Sequence, residues 1–177
     1  MTRNTKFKIK HPTLLICFLS FFILLFTFNY SWAADAEFTR QTIKGLKAVH
    51  VIVEDIQPNI QKYADKAGIN KAQIQKDVEA RLKAGGLKVL DSSEWPKTPG
   101  KPVLYVNINT HETEKYWYAY NVELELKQVV YLETNPSIKT LATTWSTNMT
   151  GMANIGTLGN IRKAVSVLVD SFINAIK

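Results

Sequence analysis

Residues 116–133, YWYAYNVELELKQVVYLE, alternate in polarity over nearly their whole length. Tyr116, Tyr118, Tyr120, Val122, Leu124, Leu126, Val130 and Leu132 share one parity, and Asn121, Glu123, Glu125, Lys127 and Glu133 share the other. Successive side chains of a strand point to opposite faces, so this is the pattern of a strand with one buried and one wet face. At about 3.3 Å per residue, roughly 18 residues would reach close to ~60 Å, far beyond a usual strand. The segment is therefore either one long strand that bends, or two strands parted by a break or bulge near Gln128. The rest of the chain must cover its apolar face.

Read in order, residues 35–45 form a polar arm. Leu46–Glu54 contains a first strand in which Val49, Val51 and Val53 alternate with His50, Ile52 and Glu54. Because Ile52 is apolar too, this strand is expected to be covered on both faces, as an interior strand is. Pro58 suits the first turn of a short helix over Asn59–Ala67, stopped by Gly68. Asn70, with Gln73 three residues on, resembles a capping box. Ile74, Val78 and Leu82 then make a buried stripe that ends at Gly85-Gly86. Leu87–Leu90 is a short strand, and Asp91–Pro102 a Pro- and Ser-rich loop. Val103–Asn109 alternates again, with His111–Lys115 turning the chain back into the long strand as an antiparallel hairpin. Asn135-Pro136-Ser137 reads as a turn, Lys139–Thr147 as a further strand, and Asn148–Gly159 as a glycine-containing loop. A last helix over Asn160–Lys177, N-capped by Asn160, buries Ile161, Ala164, Val165, Leu168, Phe172 and Ile176. The expected fold is a two-layer α+β domain: a mostly antiparallel sheet of about four to five strands with amphipathic helices on one face. The other face, bearing Asn121, Glu123, Glu125 and Lys127, is left open.

The start of the chain reads differently. Arg3, Lys6, Lys8 and Lys10 form a basic segment without acids. Leu14–Phe28 is an apolar run, and Ser31-Trp32-Ala33 supplies small residues at a signal-peptidase position, with a second cut at Ala36. Residues 1–33 are thus expected to be a signal peptide and residues 34–177 the domain, periplasmic or secreted after cleavage near Ala33 or Ala36. The rival reading is an uncleaved anchor, although a run of roughly 15 falls short of the ~20 needed to span a bilayer. Cys17 is the only cysteine and lies in that run. The mature part is therefore expected to have neither disulfide nor thiol chemistry and to rest on its apolar core. The formal charge of +7 also misleads: the leader carries four of the 22 basic residues and none of the 15 acids, which leaves +3. So small an excess does not point to nucleic acid.

Chemistry is sparse. The mature part has two histidines, His50 among valines and His111 in H-E-T-E, where a zinc-protease helix would need a second His at position 115 and finds Lys115. No nucleophile elbow or phosphate loop is present in the 177 residues. Glu123 and Glu125 face the same way on a lysine-flanked strand and read as a solvated face. No catalytic residue, metal ligand or cofactor is expected. The aromatic residues are the better lead. Trp117 shares the wet parity with Asn121, Glu123 and Glu125, and Trp95 sits in the Pro-rich loop. A Trp on a polar surface offers a large apolar body with a hydrogen-bonding tip, as recognition surfaces do. Trp117, Asn121, Glu123, Glu125 and Trp95 are therefore the candidate partner-binding residues. An alternative puts the Tyr/Trp cluster around a small-ligand or lipid pocket between sheet and helices.

The order of these elements, with the first strand at Val49–Glu54, the helix end R-L-K-A-G-G-L-K-V (Arg81–Val89), a long hairpin, T-T-W-S (Thr143–Ser146) and a closing amphipathic helix, resembles small bacterial envelope domains. These are typified by the amino-terminal domain of TolB and by accessory proteins of the LpoB and CsgG type. The resemblance implies a non-enzymatic, exported module that engages an envelope protein partner. A homo-oligomer is compatible with it. Membrane contact is expected only through an uncleaved amino-terminal segment.

Overall fold

The computed structural model describes residues 37–177; the leader and both cleavage positions lie outside the described residues. Five strands form one mixed sheet in the order β2-β1-β3-β4-β5. They are β1 (Ala48–Val53), β2 (Lys88–Val89), β3 (Val103–Glu114), β4 (Trp117–Leu132) and β5 (Asn135–Asn154). Four α-helices accompany them among the described residues: α1 (Glu37–Arg40), α2 (Pro58–Ala64), α3 (Lys71–Ala84) and α4 (Gly159–Ile176). β1 pairs in parallel with both β2 and β3, through short ladders. The β3–β4 and β4–β5 ladders are antiparallel and long. The result is the expected α+β architecture, with the antiparallel hairpins carrying most of the pairing.

The alternation read at 116–127 orients β4 as expected. Tyr118, Tyr120, Val122, Leu124 and Leu126 are buried, and their odd-numbered neighbours face the uncovered side. α3 and α4 pack over the buried face, α3 against β1 and α4 against β4 and β5. Ile74, Val78 and Leu82 of α3 are buried, as are Ile161, Ala164, Val165, Leu168, Phe172 and Ile176 of α4. Trp145 of β5 is fully buried with its ring 5.1 Å from that of Phe172. Full burial of each large apolar side chain contributes about 1.5–3 kcal/mol. Arg162 Nη2 donates to Asp77 Oδ1 at 2.9 Å, and Arg81 Nη1 donates to Asp170 Oδ1 at 2.9 Å, so two ion pairs tie α3 to α4. Asn70 caps α3 by accepting from the Gln73 amide at 2.9 Å. The reciprocal half of the capping box is absent, because the Gln73 side chain donates to Asp77 instead.

Several boundaries differ from the sequence reading, each for a tertiary reason. The long strand is one element, and the irregularity expected near Gln128 sits on its partner: Leu126 pairs with Trp145 and Lys127 with Thr143, so Thr144 is the extra residue. Its hydroxyl donates to Gln128 Oε1 at 2.7 Å. β5 runs on to Asn154 through the segment read as a loop, and Gly151 belongs to the ladder opposite Tyr120. A Cβ at Gly151 would lie 2.5 Å from the Tyr120 hydroxyl oxygen, so this glycine makes room for a ring. β5 also begins at Asn135, so Asn135-Pro136-Ser137 opens a strand where a turn was expected. β3 continues to Glu114, and the turn into β4 is only Lys115-Tyr116, with Tyr116 at φ 70°. α4 starts at Gly159 without a side-chain cap, so Asn160 is inside the helix. Residues 35–45, read as an arm, include the fully buried Ile43. Ile52 is 38% exposed, so β1 is interior by pairing yet covered on one face at that point.

Beyond Lys127, which pairs with the first residue of β3, the Val129 amide still donates to the Gly100 carbonyl of the Pro-rich loop at 2.7 Å, and from there β4 and β5 continue as a two-stranded ribbon. It projects past the sheet with Tyr131, Leu132, Ile138 and Leu141 exposed.

Candidate functional site

The uncovered sheet face is built from rows of side chains that the register sets side by side. Ile52, Tyr105, Glu125 and Ser146 form one row; Asn107, Glu123 and Asn148 the next; Asn109, Asn121 and Thr150 the third; His111, Ala119 and Met152 the fourth; and Glu114, Trp117 and Asn154 the last. Each row is two residues, about 7 Å, from its neighbour along the strands.

The two ends of this face behave differently. At the β1 end the polar groups are tied to one another. Tyr105 donates its hydroxyl to Glu54 Oε2 at 2.6 Å. Lys127 Nζ lies 4.7 Å from the centre of the Tyr105 ring and 2.9 Å from Glu125 Oε2. The Thr143 hydroxyl donates to Glu125 Oε1 at 2.8 Å. The hydrogen bond to the Glu54 carboxylate, with partial burial and the negative charge of Glu54, Glu125 and Glu123 behind it, pushes the Tyr105 phenol up to about 12. Every oxygen of Glu125 is thus engaged, and its side chain is largely shielded. This carboxylate holds the face together; it is not a group held out to a partner.

The Pro-rich loop covers the same end. Trp95 stacks on His50, with ring centroids 5.5 Å apart and planes 27° from parallel, and His50 Nδ1 is 2.8 Å from the Leu90 carbonyl oxygen. The Trp95 indole N–H is buried with no hydrogen-bond partner among the described residues. Trp95 therefore acts as a cover for β1.

Toward the β3–β4 turn the face is less constrained. Asn121 donates to Thr150 Oγ1 at 3.1 Å. Glu123 stands between Asn107 and Asn148 and has no hydrogen-bond or ion-pair partner among the described residues. Trp117 is 43% exposed and marks the end of the face. Of the five residues singled out from sequence, Trp117, Asn121 and Glu123 share one region, whereas Glu125 and Trp95 belong to the knit end. Trp117 and Glu125 are eight positions apart on β4, about 26 Å, and Trp95 belongs to the Pro-rich loop, so the five do not converge on one point.

Sequence reasoning missed the Glu54–Tyr105–Lys127–Glu125–Thr143 network, because cross-strand neighbours are set by register. It also missed Asn148, which was read into a loop. The alternation of Trp145 through Thr150 with the same period as β4 is the signal that would have found it. The aromatic residues proposed to line a ligand pocket divide as well. Tyr118, Tyr120 and Trp145 are packed into the core, while Tyr116 and Tyr131 are exposed.

No known protein-family model and no curated protein matches this chain.

Proposed function

We propose that this chain is an exported, non-enzymatic accessory module of a bacterial cell envelope that captures a protein partner on the Trp117 end of its uncovered sheet face. The observation that carries this reading is the half-exposed Trp117 indole at the edge of a polar surface containing the unpaired carboxylate of Glu123. An exposed aromatic anchor is the chemistry of an interaction hot spot, and the Glu123 carboxylate, six positions or about 20 Å along β4, falls within the breadth of one protein interface. The leader-like start of the sequence supports export. Cross-linking in intact cells, followed by affinity capture and mass spectrometry, tests it. Trp117→Ala and Glu123→Lys are expected to keep the fold, as read by circular dichroism, and to lose the captured envelope protein. Wild-type capture by both variants would sink this surface. Glu125 is a poor probe, since its replacement would also unlock the neighbouring network.

A small-ligand reading is favoured at a different place from the one expected. A groove of about 440 Å³ between the Pro-rich loop and the ribbon is lined by Lys97, Lys101, Lys139 and Tyr131 with no acidic residue. It suits an anionic ligand, and a thermal-shift screen with anionic metabolites and lipid headgroups would detect one.

A further inference from the structure

The sheet treats its two edges in opposite ways. β2 is only two residues long and carries Lys88, a common means of blunting an edge. β5 is a 20-residue edge strand at the other end of the sheet. From Thr140 to Asn154 it contains no charged residue and no proline. The register shows where its backbone points. The Glu54 amide donates to the Val106 carbonyl, so even-numbered β3 residues bond toward β1 and odd-numbered ones toward β4. Odd-numbered β4 residues, paired with them, then bond toward β3. Their partners Ser146, Asn148, Thr150 and Met152 consequently aim their own N–H and C=O groups away from the sheet. The one tie across this edge to another segment among the described hydrogen bonds is the Thr42 hydroxyl donating to the Thr144 carbonyl at 3.0 Å. Met152 lies on the same stretch with 54% of its surface exposed.

We propose that the Ser146–Asn154 edge of β5 pairs antiparallel with the same edge of a second copy about a two-fold axis, joining two sheets into one of ten strands. In an antiparallel pairing about a two-fold axis, residue i faces residue j of the second copy and j faces i, so only residues close to the axis lie near their own counterparts. A charge in the middle of the edge, around Asn148 and Thr150, would meet its like there, and a charge-free stretch is the composition that permits the pairing. A heterologous partner would not impose that condition, and would favour charges opposite its own. The pairing satisfies the outward amides at Ser146, Asn148, Thr150 and Met152 and covers part of Met152.

Sedimentation velocity on the purified intact chain tests this, together with Asn148→Lys and Asn148→Glu, each alone and mixed in equal amounts. Asn148 is exposed and lies in the middle of the edge. The wild type is expected to dimerise at micromolar concentration, each variant to associate at least about tenfold more weakly, and the mixture to recover the dimer through opposite charges. Recovery on mixing separates lost pairing from lost folding. Hydrogen exchange supplies a second readout without any substitution: the amides of Ser146, Asn148, Thr150 and Met152 should become protected as concentration rises. A wild type that stays monomeric, a dimer indifferent to both charge variants, or edge amides whose exchange ignores concentration would overturn the proposal.

Discussion

Gly151 and Tyr105 show how much single positions decide here. Gly151 sits in a strand, where glycine is ordinarily a weak choice, because the Tyr120 ring occupies the space a side chain would need. Gly151→Ala is expected to destabilise the fold by about 1–3 kcal/mol through overpacking. Combining it with Tyr120→Leu should cost less than the sum of the two single changes, a non-additivity that denaturant titration of the double-mutant cycle would reveal. Tyr105 makes a different prediction. Its folded pKa of about 12 lies above the ordinary value of 10, so the neutral phenol is favoured in the folded state. That stabilisation is complete below pH ~10 and is lost as pH rises from there through ~12. The stability difference between wild type and Tyr105→Phe, measured against pH, should therefore shrink across that window. A difference that stays constant would mean the phenol is not held by Glu54 as described.

At the scale of elements, α3 and α4 are amphipathic in the sequence and become a layer only by packing side by side on the sheet. The Arg162 hydrogen bond to Asp77, outweighing the opposing effect of burial, draws the Asp77 carboxyl below its ordinary 3.8. The contribution of this pair is therefore present above pH ~4 and fades as pH falls further. Both side chains keep contact with water, so Asp77→Asn is expected to cost only about 1 kcal/mol near neutral pH. The cost should fade in acid, as thermal melts at pH 7 and below pH 3 would show. Most of the helical repeat was legible in advance, since Ile74, Val78 and Leu82 recur every four residues. The start of α4 was not. Asn160 has the chemistry of a cap, yet the chain turns into the helix at Leu158, which is buried.

Across the whole molecule, stability should follow the sheet inward. The centres of β3 and β4 are paired on both sides and covered by helices, whereas the ribbon beyond Lys127 has two strands and exposed apolar residues. Native-state hydrogen exchange is expected to show β3 and β4 amides near Val106 and Leu124 opening only with global unfolding, and ribbon amides from Val130 to Leu141 opening well below it. Equal protection in both regions would contradict this gradient. The alternation of residues 116–127, the apolar stripes of the helices and the punctuation at Asn70 and Gly85 are local properties. A chain of these residues carries them wherever it goes, and so the α+β class and the buried parity of β4 follow from the sequence by itself. Register, sheet order and strand length depend on partners far along the chain. Nothing near Gly151 says that it faces Tyr120, nothing near Tyr105 says that Glu54 and Lys127 will meet it, and nothing near Thr144 marks it as the extra residue opposite Leu126. Those outcomes were decided by tertiary structure, because a strand's length and neighbours are fixed by the hydrogen bonds and side-chain space another strand offers.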